Sequence, residues 1–169
     1  MNKYLTLLLI LIIPTNSFAL IEVDITRGNL NPLPIAVSPL SIDQDSKKNF
    51  EKILKKKNIG SEISLVIENN LKISGLFNPL NKDAFLQAPD IANLKPRFED
   101  WNLIKAQALI TGKVSFTNEK LRVEFRLWDV LAGKEMMALA FTTVPNNWRR
   151  VGHIITDKVY ERLTGEKGY

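Results

Sequence analysis

The side chains best suited to acid–base chemistry lie near the end of the chain, where His153, Asp157 and Glu161 follow one another at intervals of four residues. In an α-helix this spacing places all three on one face. A histidine beside a carboxylate can serve as a general base, so a secreted hydrolase or small-ligand-binding domain using this face is one interpretation. However, no serine or cysteine nucleophile is marked nearby, and a lone histidine on an amphipathic helix is usually structural. We therefore favour a surface role for this group.

Other charged residues have simpler interpretations than catalysis. Glu99 and Asp100 would stabilise the start of a helix, because acidic side chains interact favourably with the positive end of the helix dipole. Arg149 and Arg150 would solvate the first turns of a helix, although arginine beside tryptophan, here Trp148, is also common at protein interfaces. The chain has no cysteine, one histidine and no glycine-rich phosphate loop. We therefore predict no catalytic residue, no cofactor, no metal site and no enzymatic activity.

The overall composition is that of an ordinary globular domain. Of its 169 residues, 45% are hydrophobic and 24% are charged, with a formal net charge of +5. This charge is mild and its 23 lysines and arginines are spread along the chain, which argues against a nucleic-acid partner.

The first nineteen residues have the order of a secretory signal peptide. Met1–Lys3 is a short positive region, Leu5–Ile13 is a run in which every residue except Thr6 is apolar, and Ser17–Ala19 supplies small residues at the positions that a signal peptidase reads. We predict a signal peptide over residues 1–19 with cleavage after Ala19. The apolar run is shorter than the ~20 residues that cross a bilayer, so we expect no membrane span after cleavage.

The segment behind the predicted cleavage site has the pattern of a strand with one apolar face. Apolar side chains at Ile21, Val23 and Ile25 alternate with polar ones. A strand on a free end can add itself to the edge of another protein's sheet, whereas the simpler alternative is that it pairs within its own domain or frays. We predict an extended partner-binding segment over residues 20–33. The expected binding residues are Leu20, Ile21, Glu22, Val23, Asp24, Ile25, Thr26, Arg27 and Gly28.

Residues 34–169 are predicted to form one α/β domain. The expected elements are a strand in Pro34–Leu40, a solvated helix in the lysine-rich Ser41–Asn58, a helix capped by Ser61 and ended by Gly75, a short turn over Lys82–Leu86, an irregular stretch between Pro89 and Pro96, a helix over Phe98–Ala106, strands over Ala108–Phe116, Leu121–Val130 and Lys134–Val144, and a final helix ended by Gly165. This order indicates the α/β (α+β) class: a mixed sheet of about four strands with helices packed on one face.

Several stretches, read in order, resemble the N-terminal domain of the TolB family, the periplasmic component of the Tol–Pal cell-envelope system. They are EVDITRG (22–28), PIAVSPL (34–40), ISGLFNPL (73–80), FEDW (98–101), ALITGKV (108–114), FRLWDVLAGKEM (125–136) and NNWRRVGHIITDKVYERLTGEKGY (147–169). The last two are the longest and most specific. The Ser41–Asn58 segment departs from the family pattern in length and lysine content, so nothing is carried over onto it.

The resemblance implies a fold similar to the anticodon-binding domain of some tRNA synthetases, followed by a six-bladed β-propeller. In the family, the N-terminal segment binds the C-terminal domain of the inner-membrane protein TolA, and this segment matches Leu20 to about Leu33. The propeller binds the lipoprotein Pal, so Pal is expected as a partner only if the gene continues past Tyr169 into a propeller. The implied location is the periplasm, and the implied roles are outer-membrane integrity and cell-division constriction. Fold alone does not imply RNA binding.

Overall fold

Six strands and five helices make up the part of the chain that the computed structural model describes, residues 31–56 and 58–167. The strands are β1 (Leu33–Val37), β2 (Ser41–Ile42), β3 (Phe77–Pro79), β4 (Ala108–Thr117), β5 (Lys120–Asp129) and β6 (Lys134–Thr143). The helices are α1 (Gln44–Leu54), α2 (Ile59–Ile73), α3 (Pro89–Leu94), α4 (Phe98–Leu103) and α5 (Trp148–Thr164), and single 3₁₀ turns cover Lys82–Ala84 and Pro145–Asn147.

All six strands join one mixed sheet in the order β3-β1-β4-β5-β6, with β2 also paired to β4. β1 is parallel to both of its neighbours, whereas β4, β5 and β6 form an antiparallel meander. The mixed sheet is confirmed, but the predicted count of about four strands is wrong. β2 and β3 contain two and three residues, which is too short for an alternating pattern to appear in the sequence.

β1 and β2 lie in line along the same edge of β4. Ile35 is opposite Ala108 in β4, and farther along Ser41 is opposite Lys113. Pro39 lies between the two strands, where it has no N–H to donate to the ladder. The strand predicted within Pro34–Leu40 is therefore confirmed as β1, which ends at Val37 before Pro39, whereas β2 was not predicted.

The larger core lies on the face of the sheet that α2 and α5 cover. It contains Ile63, Ile67 and Leu71 from α2 and Ile155 and Val159 from α5, all fully buried. The predicted α5 stripe of apolar residues is confirmed, since this helix buries Trp148, Val151, Ile155, Val159 and Leu163. α2 begins earlier than predicted, at Ile59, because Asn58 rather than Ser61 is the cap: its side chain accepts a hydrogen bond from Ser61 N at 3.2 Å.

A smaller core lies on the opposite face of the sheet, beneath α3 and α4. Ala36 and Leu109 of the sheet pack there with Ala92 and Trp101 of the two short helices. The expectation of helices on one face therefore describes only the long helices. The stretch after Pro89 is also helical rather than irregular. Proline is tolerated at the first helical position, because the N–H group that it lacks would have no hydrogen-bond partner within the helix.

None of the helices in the described residues is long and apolar enough to cross a membrane.

Asp43 supports a prediction about the pH dependence of stability. Its carboxylate caps α1 by accepting hydrogen bonds from Ser46 N at 2.8 Å and Ser46 Oγ at 2.9 Å. The backbone hydrogen bond is the main cause that lowers the pKa of Asp43 below its ordinary value. We expect Asp43→Ala to lower the free energy of unfolding by about 1 kcal/mol at pH 7, measured by urea denaturation.

The sign of the pH effect follows from this lowered pKa. The pKa of Asp43 is lower in the folded state than its unfolded-state value of about 4, so the ionised carboxylate stabilises the fold at pH values above about 4. This stabilisation is lost as the pH falls through the folded-state pKa. The matched control is Asp43→Asn, which keeps a capping oxygen but cannot ionise. The parent should lose more stability than Asp43→Asn between pH 6 and pH 2. Equal losses would contradict the prediction.

Candidate functional site

The predicted partner-binding residues Leu20–Gly28 and the predicted cleavage site at Ala19 lie outside the described residues. The structure describes where that segment joins the domain. Leu33, the first residue of β1, is buried and donates a backbone hydrogen bond to Leu76 O at 2.9 Å. Pairing of Leu33 with Phe77 in β3 fixes this end of β1 within the sheet. Residues before Leu33 therefore join the domain at the end of the sheet where β1 starts.

The predicted acid–base face of α5 borders a cavity of about 590 Å³ between α2 and α5. The side chains around it come from both helices and from the turn after α2. They are Asn70, Ile73, Ser74, His153, Thr156, Asp157 and Tyr160. The structure thus brings His153 and Asp157 to the same cavity, together with Asn70 and Tyr160, which sequence reasoning did not single out.

His153 is exposed and its ring contacts the neighbouring helix. Asn70 Nδ2 lies 2.8 Å from His153 Nδ1, so the amide donates to the imidazole when this nitrogen carries no proton. The same amide group lies 3.4 Å from Thr156 Oγ1. These hydrogen bonds join α2 to α5, which agrees with a surface role for this histidine.

The other two members of the predicted face have different surroundings. Asp157 lines the cavity, whereas Glu161 forms an ion pair with Lys158 at 2.8 Å. The hydrogen bond from Lys158 is the main cause that lowers the pKa of Glu161 below its ordinary value. The one serine that lines the cavity, Ser74, donates its hydroxyl hydrogen to Leu71 O at 2.6 Å. This hydroxyl is engaged at the end of α2, and so the arrangement does not form a nucleophile–base pair.

Within the described ranges no three histidine, cysteine, aspartate or glutamate side chains are grouped so that they could hold a metal ion.

A second concave surface lies between β6 and the start of α5. The cavity has a volume of about 220 Å³ and lies at the end of β6. Its lining residues are Phe141, Thr142, Thr143, Asn147, Arg150, Val151 and Ile154. Sequence reasoning had selected Arg149 and Arg150 together, but the structure separates them. Arg150 lines this cavity, whereas the Arg149 guanidinium lies 4.9 Å from the centre of the Trp148 ring.

Comparison with known proteins identifies the family. A family model described as the TolB amino-terminal domain matches residues 21–136. The Tol-Pal system protein TolB of Pelagibacter ubique (strain HTCC1062) is 82% identical over 167 residues, which cover 99% of this chain and 37% of that relative. The crystal structure of TolB from Acinetobacter baumannii matches 81% of this chain and 29% of its own chain, with a TM-score of 0.64 and 21% identity, and shows the same fold. This chain belongs to the TolB amino-terminal domain family.

Proposed function

We propose that this chain is a non-enzymatic, periplasmic component of the Tol–Pal system that binds the C-terminal domain of TolA through residues 20–33. Membership of the family supports the proposal, as does 82% identity to a protein named as part of that system. The chain spans 37% of the length of that relative, so binding to Pal is proposed only for a full gene that continues into a propeller. The proposed roles are outer-membrane integrity and cell-division constriction, after export directed by residues 1–19.

The observation that carries the binding proposal is the alternation of Ile21, Val23 and Ile25 with polar residues, seven residues ahead of the first strand of the domain. In strand addition, backbone hydrogen bonds supply affinity, and alternate side chains supply specificity. Since β1 is held from Leu33 onward, a partner that pairs with residues 20–28 does not have to break the sheet of the domain.

Removal of the segment should abolish binding to the TolA C-terminal domain. A version that starts at Asn31 keeps Leu33 in β1, whereas a start at Pro34 would delete a buried residue of the sheet. Relative to a version that starts at Leu20, we expect affinity to fall by at least about 100-fold, or about 2.7 kcal/mol, in calorimetric titrations.

The control for this experiment is stability, since both versions should melt at nearly the same temperature. Val23→Pro provides an independent variant in the chain that starts at Leu20. It removes a donor from the ladder and should weaken binding by about tenfold without altering the melting temperature. Equal affinity of the Leu20 and Asn31 versions would overturn the proposal.

A further inference from the structure

The outer edge of β6 carries little protection against strand pairing after its first three residues, where two charged side chains and an irregularity in the pairing with β5 interrupt it. Within the described ranges β6 pairs with β5 alone, and it contains ten residues. From Met136 to Thr143 it has no charged residue and no proline. Edge strands in natural proteins are usually short, charged, interrupted or covered, because their free N–H and C=O groups are a template for another strand. This edge is therefore suited to strand addition.

α5 runs beside this edge in the direction opposite to β6. Near one end of the strand, Arg162 Nε donates to Met136 O at 3.3 Å, and at the other end Arg150, Val151 and Ile154 border Phe141. The smaller cavity described above lies between strand and helix at this second end, and its apolar lining comes from Phe141, Val151 and Ile154. A strand added to β6 would direct every second side chain towards α5, and one of them could enter this cavity.

The charge of the cavity indicates the chemistry of its ligand. Arg150 is the one charged residue in its lining, and it forms no ion pair with another described residue. Arg150 and the apolar lining both lie on the α5 side of β6. Since alternate side chains of a strand share a face, a matching strand would carry an apolar and an acidic side chain two positions apart.

We propose that the β6 edge and this cavity form an acceptor site for an extended segment of a separate protein in which an apolar and an acidic residue are two positions apart. The apolar side chain contacts Phe141 and Ile154, and the carboxylate pairs with Arg150. This site is independent of residues 20–33 and of the TolA interaction proposed above.

A second copy of this chain fits the site less well. Two β6 edges could pair with each other, but the one carboxylate that β6 carries, Glu135, forms an ion pair with Arg126 at 3.2 Å. Glu135 is opposite Trp128 in the β5 register, on the face of the sheet that α3 and α4 cover rather than the α5 face. A second β6 strand would therefore bring no carboxylate to Arg150.

The chain's own residues 20–28 fit the site less well for a different reason. Their apolar face carries Ile21, Val23 and Ile25 but no acid, and the next residue on that face is Arg27. Docking by the other face would bring Glu22 and Asp24 to the groove but would leave the three apolar side chains in water.

The test uses the full chain and a fluorescein-labelled peptide, acetyl-Thr-Glu-Thr-Val-Thr-Glu-Thr-amide. This peptide has an acid two positions from valine in both directions, so it satisfies the pattern in either strand orientation. In fluorescence anisotropy we expect saturable binding. Arg150→Glu should weaken binding by about tenfold or more, whereas the matched Arg149→Glu, with the same change in charge, should alter it by less than about twofold.

Further controls separate the possible occupants. A peptide with lysine in place of glutamate, and one with methylated backbone nitrogens, should both fail to bind. The proposal is overturned by absence of saturable binding, by equal effects of Arg149→Glu and Arg150→Glu, or by a dimer in sedimentation whose formation excludes the peptide. Much tighter peptide binding after deletion of residues 1–30 would assign the site to the chain's own segment, and would likewise overturn it.

Discussion

Replacement of Trp101 by alanine should lower the free energy of unfolding by about 3–5 kcal/mol, as large aromatic-to-alanine changes in cores do. Trp101 is 1% exposed and is the largest fully buried side chain among the described residues. Its ring packs edge-on against Phe85 at a centroid distance of 5.0 Å. Since single domains are stable by about 5–15 kcal/mol, this one change would remove a large share of the stability.

The indole nitrogen of Trp101 contributes separately from its ring. Trp101 Nε1 donates to Gln87 Oε1 at 2.8 Å, and Arg97 N donates to the same oxygen at 2.9 Å. Trp101→Phe keeps most of the ring volume but leaves Gln87 with one donor fewer, so it should cost about 1–2 kcal/mol. The cost of Trp101→Phe would measure the contribution of the hydrogen bond, and the additional cost of Trp101→Ala would measure the contribution of ring packing.

Urea denaturation followed by circular dichroism would measure both Trp101 variants. Leu103→Ala is a suitable control, because Leu103 lies in the same helix but is 73% exposed and should change stability by less than about 0.5 kcal/mol. If Trp101→Ala were no more destabilising than Leu103→Ala, the second core would contribute nothing to stability, contrary to the packing observed.

The second large effect is expected at Gly60, in the first turn of α2. A Cβ atom at this position would lie 2.1 Å from Leu40 O, which is a backbone atom. Leu40 cannot move freely, because its N–H donates to Ser64 Oγ at 3.0 Å, and the Ser64 hydroxyl lies 3.0 Å from Ser38 O. We expect Gly60→Ala to lower the free energy of unfolding by about 2–3 kcal/mol, although alanine favours a helix over glycine by about 1 kcal/mol.

A comparison with Gly152 tests this reason. A Cβ at Gly152 would lie 2.8 Å from Val66 Cγ1 and 3.0 Å from Val66 Cβ, so the overlap is smaller than at Gly60 and involves a side chain rather than a backbone carbonyl. Gly152→Ala should therefore cost less than Gly60→Ala in the same denaturation experiment, since the gain in helix propensity offsets part of a smaller clash. A stabilising effect of Gly60→Ala would show that α2 does not approach Leu40 as closely as described.

The features predicted well from the sequence are those that repeat a pattern over many residues. Alternation along Leu121–Val130 located β5 to within one residue at each end, and the stripe of α5 located both its buried face and its end at Gly165. The short elements were missed because two or three residues carry no period, as in β2 and β3. Pro89 was misleading because proline interrupts a helix interior but is well suited to the first turn.

The candidate sites show a similar limit. The spacing of His153 and Asp157 correctly placed them on one helix, but the contact of His153 with Asn70 depends on how α2 and α5 pack. The acceptor site beside β6 could not be predicted from a local pattern, because it depends on which strand becomes the sheet edge. Arg149 and Arg150 are neighbours of the same residue type. Because they point in different directions around the helix, Arg149 contacts the Trp148 ring whereas Arg150 lines the cavity.

The parallel pairing of β1 with β4 has a consequence for the timing of folding. Ile35 pairs with Ala108, which is 73 residues farther along the chain (108 minus 35), whereas β4, β5 and β6 are joined by short turns. Contacts between distant residues form late, because closing a long loop costs entropy before any contact compensates for it. During synthesis at about 5–20 residues per second, β1 therefore waits roughly 4–15 s for β4, although its other neighbour, β3, is made earlier. The residues ahead of β1 are made before the domain, and the strand that anchors them is among the last of its elements to be fixed.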